Sequence, residues 1–205
     1  NVIADNIEDD HVLVSIGVEG NSFGLGLDKV GVILEENNHI AVNENGQTNI
    51  ENIYAIGDVI GPPWLAHVSA AEGLYVAEHI ANLNPKKIDY NCIPACTYSK
   101  PEVASIGMTK QQLDKKNIEY KIAKSFFNSN GKAVATGATD GFIKIYIGTD
   151  NLILGAHIIG SNATEMISEF SLAMRNHLTI EDILDAIHPH PTFSEAIFET
   201  LMQLK

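Results

Sequence analysis

Hydrophobic residues along this chain fall into short runs separated by polar, turn-forming segments, and the runs predict the elements. HVLVSIG (11–17) is dense in apolar and β-branched residues and ends in glycine, which predicts a buried strand. VGVILEE (30–36) and HIAVN (39–43) flank Asn37 and Asn38 and predict a hairpin. NIYAIGD (52–58) predicts a second buried strand, and the alanine-rich pattern that follows predicts a helix to about residue 83. Further on, VASIGM (103–108), YKIAKSFF (120–127), FIKIYIG (142–148) and LILGAHIIG (152–160) predict strands, the last two joined by the turn Thr149-Asp150-Asn151. Helices are expected at 109–117, with Thr109 as N-cap, and from Asn162 to about His177, where Asn162 and Glu165 have capping-box spacing. Thr179 opens a short helix ending near Ile187, and a final helix starts near Ser194. Strands followed by helices, without strict βαβ alternation, make the expected fold class α+β, with an antiparallel sheet and helices in the second part. The polar, proline-bounded stretch PKKIDYNCIP (85–94) places a domain boundary near residue 88.

Composition narrows the classes of function. At 205 residues, 45% hydrophobic and 19% charged, the chain can build a real core. Acidic residues number 26 against 13 basic ones, which argues against a nucleic-acid partner, whose binding rests on clustered Lys and Arg. No apolar run approaches the ~18 residues of a membrane span, and no membrane partner is expected. Two cysteines, Cys92 and Cys96 in NCIPAC, are no disulfide scaffold and suit a cytoplasmic setting. Their spacing leaves a redox pair, half a metal site or simple packing open; no further Cys or His cluster completes four ligands, so no metal is expected. NVIADNIEDD leads straight into an apolar run without an initiator Met or a signal stretch, so the chain reads as the C-terminal part of something longer.

Two stretches carry candidate chemistry. In IYAIGD followed by WLAH, Asp58 stands at the carboxyl end of an expected strand, where open α/β sheets bind ligands. The helix after it directs unpaired N–H groups and a positive dipole end at whatever lies before it. An Asx turn explains the same residues. The second stretch is HPHPTFSEA (188–196). Pro189 and Pro191 fix their own φ and restrict the residue before each, so His190 has little backbone freedom. Imidazole is the natural base near neutral pH and needs a partner on one nitrogen, and Glu195 lies within reach. Thr192 and Glu195 also have capping-box spacing, so the glutamate could cap the last helix, and with two oxygens it could do both.

IENIYAIGDVIGPPWLAHVSAAEG (50–73) closely resembles the second flavin-binding segment of the pyridine nucleotide–disulfide oxidoreductases. The resemblance implies that Asp58 binds the ribityl chain of FAD and that Trp64, Leu65, Ala66 and His67 lie along the flavin, largely through backbone atoms. SIGVEGN (15–21) is similar to the end of that family's NAD domain, which puts Gly17 beside the nicotinamide cofactor. H-P-T-x-S-E, the family's C-terminal signature, stands intact at His190, Pro191, Thr192, Ser194 and Glu195. By that resemblance His190 is the acid–base catalyst, Glu195 is its hydrogen-bond partner, and the peptide before Pro191 is cis. The implied layout is a tail of the NAD-binding domain (1–20), a central FAD-contacting region (21–88) and an α+β interface domain (89–205). Within the family the chain looks most like members that serve the 2-oxo acid dehydrogenase complexes. That implies FAD and NAD as cofactors of the intact enzyme, a lipoyl substrate, other complex components as partners, and a homodimer in which the histidine enters the other subunit's active site. Residues 1–20 are expected to lack support, because the sheet partners of HVLVSIG are mostly absent. Other disulfide reductases of the glutathione type, or a non-catalytic dimerisation module, are the rival expectations. GLGLDK (24–29) lacks the third glycine of a dinucleotide fingerprint, and no C-x-x-x-x-C is present.

Overall fold

The computed structural model describes residues 10–205. The chain divides into two compact units between Ile88 and Asp89. Charge divides with it: the first 88 residues hold 13 acidic and three basic side chains, the remainder 13 and 10.

In the first unit the apolar run at 11–17 forms no strand. Leu13 is 92% exposed, and no described segment pairs with the run. A β-ladder needs a neighbouring backbone, so β-branched composition alone builds nothing. Residues 1–9, the rest of the expected NAD-domain tail, lie outside the described residues. Past the short helix α1 (Leu27–Val30), the expected hairpin shrinks to one antiparallel bridge, Leu34 to Ile40. Asn37 and Asn38 both take left-handed φ, of 60° and 61°, and consume the connection in a 3-10 turn. The expected strand at 52–58 is likewise a single bridge, Gln47 to Tyr54. Val32, Ile40 and Ala55 close a small core beneath these bridges. A 3-10 turn at Gly57–Ile60 then leads to the helix α2 (Ala66–Ile80).

The second unit contains a five-stranded antiparallel sheet. Its strands are β1 (Ala95–Thr97), β2 (Val103–Gly107), β3 (Tyr120–Phe126), β4 (Phe142–Gly148) and β5 (Ile153–Ile159), in the order β1-β2-β5-β4-β3. Alternation decides which face is core. Ile143, Ile145 and Ile147 of β4 are buried with Ala156 and Ile158 of β5. The helices α5 (Ala163–Arg175), α6 (Ile180–Asp185) and α7 (Glu195–Leu201) add Ile167, Phe170, Ile183, Ile197 and Leu201 to the same core. On the other side of β4, Lys144 stands beside the rings of Phe142 and Tyr146, and Lys124 of β3 lies 4.3 Å from the centre of Phe142. Full burial of a side chain such as Phe170 is worth about 1.5–3 kcal/mol. Gly155 is required by packing: a Cβ there would collide with the Met108 carbonyl.

Helix starts follow the expected chemistry in part. Thr109 and Thr179 complete capping boxes for α3 (Lys110–Lys115) and α6. The expected box at Asn162 does not form. Asn162 takes a left-handed φ of 62°, so its side chain makes no cap, and its carbonyl accepts from Glu165 and Met166 instead. The short helix α4 (Gly131–Thr136) and the strand β1 have no counterpart among the expected elements; α4 is capped by the fully buried Asn130.

Candidate functional site

The loop between α6 and α7 carries His190. It starts after the core residue Leu184 and returns to the core at Phe193, whose ring meets Phe127 edge-on at 5.8 Å. The buried Asn130 donates Nδ2–H to the Thr192 carbonyl at 3.1 Å, and Thr192 Oγ1 donates to the Pro189 carbonyl at 2.7 Å. The His190–Pro191 peptide is cis. The loop is thus tied down while its histidine is presented outward, 77% exposed.

Glu195, in the first turn of α7, divides its two oxygens between two tasks. Oε1 lies 2.8 Å from His190 Nδ1, and Oε2 accepts the Thr192 N–H at 2.8 Å. The carboxylate half of the expected capping box is therefore present, but the threonine half is not, since the Thr192 hydroxyl turns back to Pro189. The Thr192 N–H, and after it the His190 hydrogen bond, hold the Glu195 carboxyl below the usual carboxylate range. An ionised carboxylate only accepts, so Nδ1 carries a hydrogen, and in the neutral ring Nε2 keeps the lone pair. Nε2 has no partner among the described residues. The arrangement is an oriented base open to an incoming acid.

His188 points the other way. Its side chain is 8% exposed, with Nε2 2.9 Å from Glu169 Oε1 on α5 and Nδ1 3.2 Å from the Ala186 carbonyl. The sequence reading attached no chemistry to His188 and did not single out Glu169. Nineteen residues separate the two, and no motif links them.

In the first unit, Asp58 lies exposed in the 3-10 turn, and its carboxylate has no partner among the described residues. Gly57 has φ 73°, and its N–H donates to the buried Glu72 at 2.7 Å. A Cβ on Gly57 would meet Ser69 Oγ at 2.9 Å, so the turn needs glycine there. α2 begins after Leu65 with no side-chain cap, and Ala66 and His67 form its exposed first turn. Trp64 stacks on His39, with ring centres 6.2 Å apart. His39 is also 8% exposed, and its buried Nε2 finds no partner among the described residues. Between Asp58 and Ala66 the chain thus offers an acid without a partner among the described residues and an uncapped helix start, which suit a polar ligand such as FAD. Sequence reasoning missed His39, which no motif marks. Gly17, by contrast, has φ 135° and open space around it, so nothing in the described residues cradles a ligand there.

Both thiols are free. Burial pushes the Cys92 thiol up to about 11, and the Asp89 carboxylate, 3.4 Å away, adds to it. Burial also raises Cys96, with Glu102 and Glu165 acting in the same direction.

An antiparallel sheet backed by helices, with a carboxylate-steered histidine at its C-terminal end, defines one class of protein. The dimerisation domain of the pyridine nucleotide-disulphide oxidoreductases matches residues 93–201, and the pyridine nucleotide-disulphide oxidoreductase domain matches residues 4–73. The chain belongs to this family. Its similarity runs to proteins named dihydrolipoyl dehydrogenase. It is 46% identical over 192 residues to one from Bacillus subtilis, covering 93% of this chain and 40% of the relative. It is 42% identical over 194 residues to one from Zymomonas mobilis, covering 94% and 41%. The mitochondrial protein of Caenorhabditis elegans is 44% identical over 195 residues, covering 94% and 39%. The chain thus spans about two-fifths of these relatives' length. Among solved structures, the crystal structure of LpdA from Mycobacterium tuberculosis superposes with a TM-score of 0.86 at 26% identity, covering 91% of this chain and 41% of that one.

Proposed function

We propose that the whole protein is a dihydrolipoyl dehydrogenase, oxidising a lipoyl dithiol with NAD⁺, and that this chain supplies its base. The observation that carries the reading is the exposed His190 held by Glu195 at 2.8 Å on an anchored loop. Free thiols titrate near pH ~8.5, so at neutral pH a dithiol needs help to reach the reactive thiolate. His190 Nε2 takes the thiol proton and leaves a thiolate and an imidazolium. Glu195, already holding Nδ1–H, steadies the imidazolium and keeps the ring from turning. FAD, when bound, supplies the two-electron chemistry between dithiol and NAD⁺. Asp58 and the backbone from Trp64 to His67 would hold it.

The exposure of His190 fits a base that serves a site outside its own unit. A homodimer built through residues 89–205 would bring each histidine to its partner's site, and two-fold symmetry would build that site twice. The 2-oxo acid dehydrogenase complex components are the expected further partners. Two free thiols without a disulfide fit a reducing, cytoplasmic compartment. The test is direct. Purified full-length protein should carry yellow FAD and reduce NAD⁺ with dihydrolipoamide; flavin-free protein, or flavoprotein inert towards that dithiol, overturns the reading.

A further inference from the structure

The loop from Ala186 to Ser194 has few means of holding its shape. Ile187 is almost fully exposed, Pro189, His190 and Pro191 lie on the surface, and no apolar side chain anchors the loop between Leu184 and Phe193. Two polar anchors remain, and His190 stands midway between them. Thr192, two residues after it, is bound by Asn130 and Glu195. His188, two residues before it, is bound by Glu169.

We propose that Glu169 and His188 are positioning residues for His190: a histidine–carboxylate pair with its imidazole buried, which clamps the upstream side of the loop to α5, so that the second pair, with its imidazole exposed, is presented at a fixed place. This rests on the reading of His190 as the base.

Three observations support the clamp. Each nitrogen of His188 faces an acceptor, the Ala186 carbonyl and the Glu169 carboxylate, so both bonds form only when both nitrogens carry hydrogen. The ring thereby spans the loop backbone and α5. It also leans on Phe198 of α7, with ring centres 6.1 Å apart, the helix that holds Glu195. Three elements that set the place of His190 therefore meet at one imidazole. Finally, His188 reaches the catalytic pair electrostatically, as the smallest contribution holding the Glu195 carboxyl low, after the Thr192 N–H and His190. Orientation has leverage here: a misplacement of about 1 Å in a reacting group costs on the order of 10²-fold in rate.

The experiment uses the full-length flavoprotein and two reactions. Dihydrolipoamide oxidation needs the thiol proton removed; NADH-driven reduction of a dye does not. Glu169→Ala and His188→Phe, which keeps a ring but no hydrogen bonds, should each lower kcat for dihydrolipoamide about 10- to 100-fold, leave its KM within about twofold and leave dye reduction unchanged. Glu169→Gln, which keeps an acceptor oxygen at the same reach, should restore most of the lost rate. The clamp is refuted if both variants keep wild-type kcat while only the melting temperature falls, or if dye reduction falls in step with dihydrolipoamide oxidation. Should one variant fail to fold, the other decides. His190→Gln is run alongside: if it too leaves dihydrolipoamide turnover intact, the reading of His190 is at fault, whereas a slow His190→Gln beside fast Glu169 and His188 variants sinks the clamp alone.

Discussion

Two histidine–carboxylate pairs lie on the same loop, two residues apart in sequence, and their surroundings differ sharply. The His190 side chain is 77% exposed and that of His188 8%, while their carboxylates are alike in being partly exposed, Glu195 at 22% and Glu169 at 32%. The distances are nearly the same, 2.8 Å and 2.9 Å. What differs is the second nitrogen. His190 Nε2 has no partner among the described residues, while His188 Nδ1 faces the Ala186 carbonyl. A base needs a lone pair that can be reached; an anchor needs none. Exposure and the count of acceptors thus separate the two proposed functions where residue type and distance do not.

The largest break in this symmetry is kinetic. In the full-length protein, His190→Gln should lower kcat for dihydrolipoamide by ~10²–10⁴, the usual range for losing a positioned base. Steady-state turnover measures it, and near wild-type turnover would remove His190 from catalysis. Burial should also silence a nucleophile. With its thiol pushed up to about 11, Cys92 is overwhelmingly protonated at pH 8. Its alkylation by iodoacetamide should run roughly 100-fold slower than that of an ordinary thiol, as followed by mass spectrometry. Labelling of Cys92 at the rate of glutathione would contradict the burial argument.

Stability should show the converse ranking. Glu169→Ala leaves a buried imidazole N–H without its acceptor, which costs about 1–3 kcal/mol. Glu195→Ala removes the partner of an exposed histidine and the acceptor of the half-exposed Thr192 N–H, at a site water can reach, and should cost less, although it matters more to turnover. Urea unfolding of the two variants gives the comparison; a larger loss for Glu195→Ala would reverse the assignment of anchor and base.

Much of this was legible in the sequence, unevenly and for identifiable reasons. FIKIYIG and LILGAHIIG became β4 and β5 because alternation and a nearby partner agree. HVLVSIG and NIYAIGD carry as strong an apolar signal yet form no strand, since a ladder depends on neighbours that a local pattern cannot supply. Asn162 shows the limit of spacing rules: asparagine caps helices, but it also tolerates the left-handed region, and here the second property prevails. His190 with Glu195 was readable because five residues separate them and the motif is local. Glu169 with His188 was not, since the pairing exists only once α5 packs beside the loop. The orphaned Nε2 of His39 is likewise a property of burial, invisible before folding.

The smallest expected effect concerns acid. The Glu195 carboxyl is held below its ordinary range, chiefly by the Thr192 N–H and then by His190. Its folded pKa therefore lies below its unfolded one, and the ionised form favours folding. That contribution is fully present above the unfolded carboxylate value near ~4.3 and fades as pH falls through the folded value. Comparing wild type with Glu195→Gln, the difference in unfolding midpoint should persist down to about pH 5 and shrink towards pH 3. A difference that stays level down to pH 3 would mean that Glu195 is not ionised in these two hydrogen bonds. The acceptor-only argument that places the hydrogen of His190 on Nδ1, and leaves Nε2 free to act, would then lose its basis.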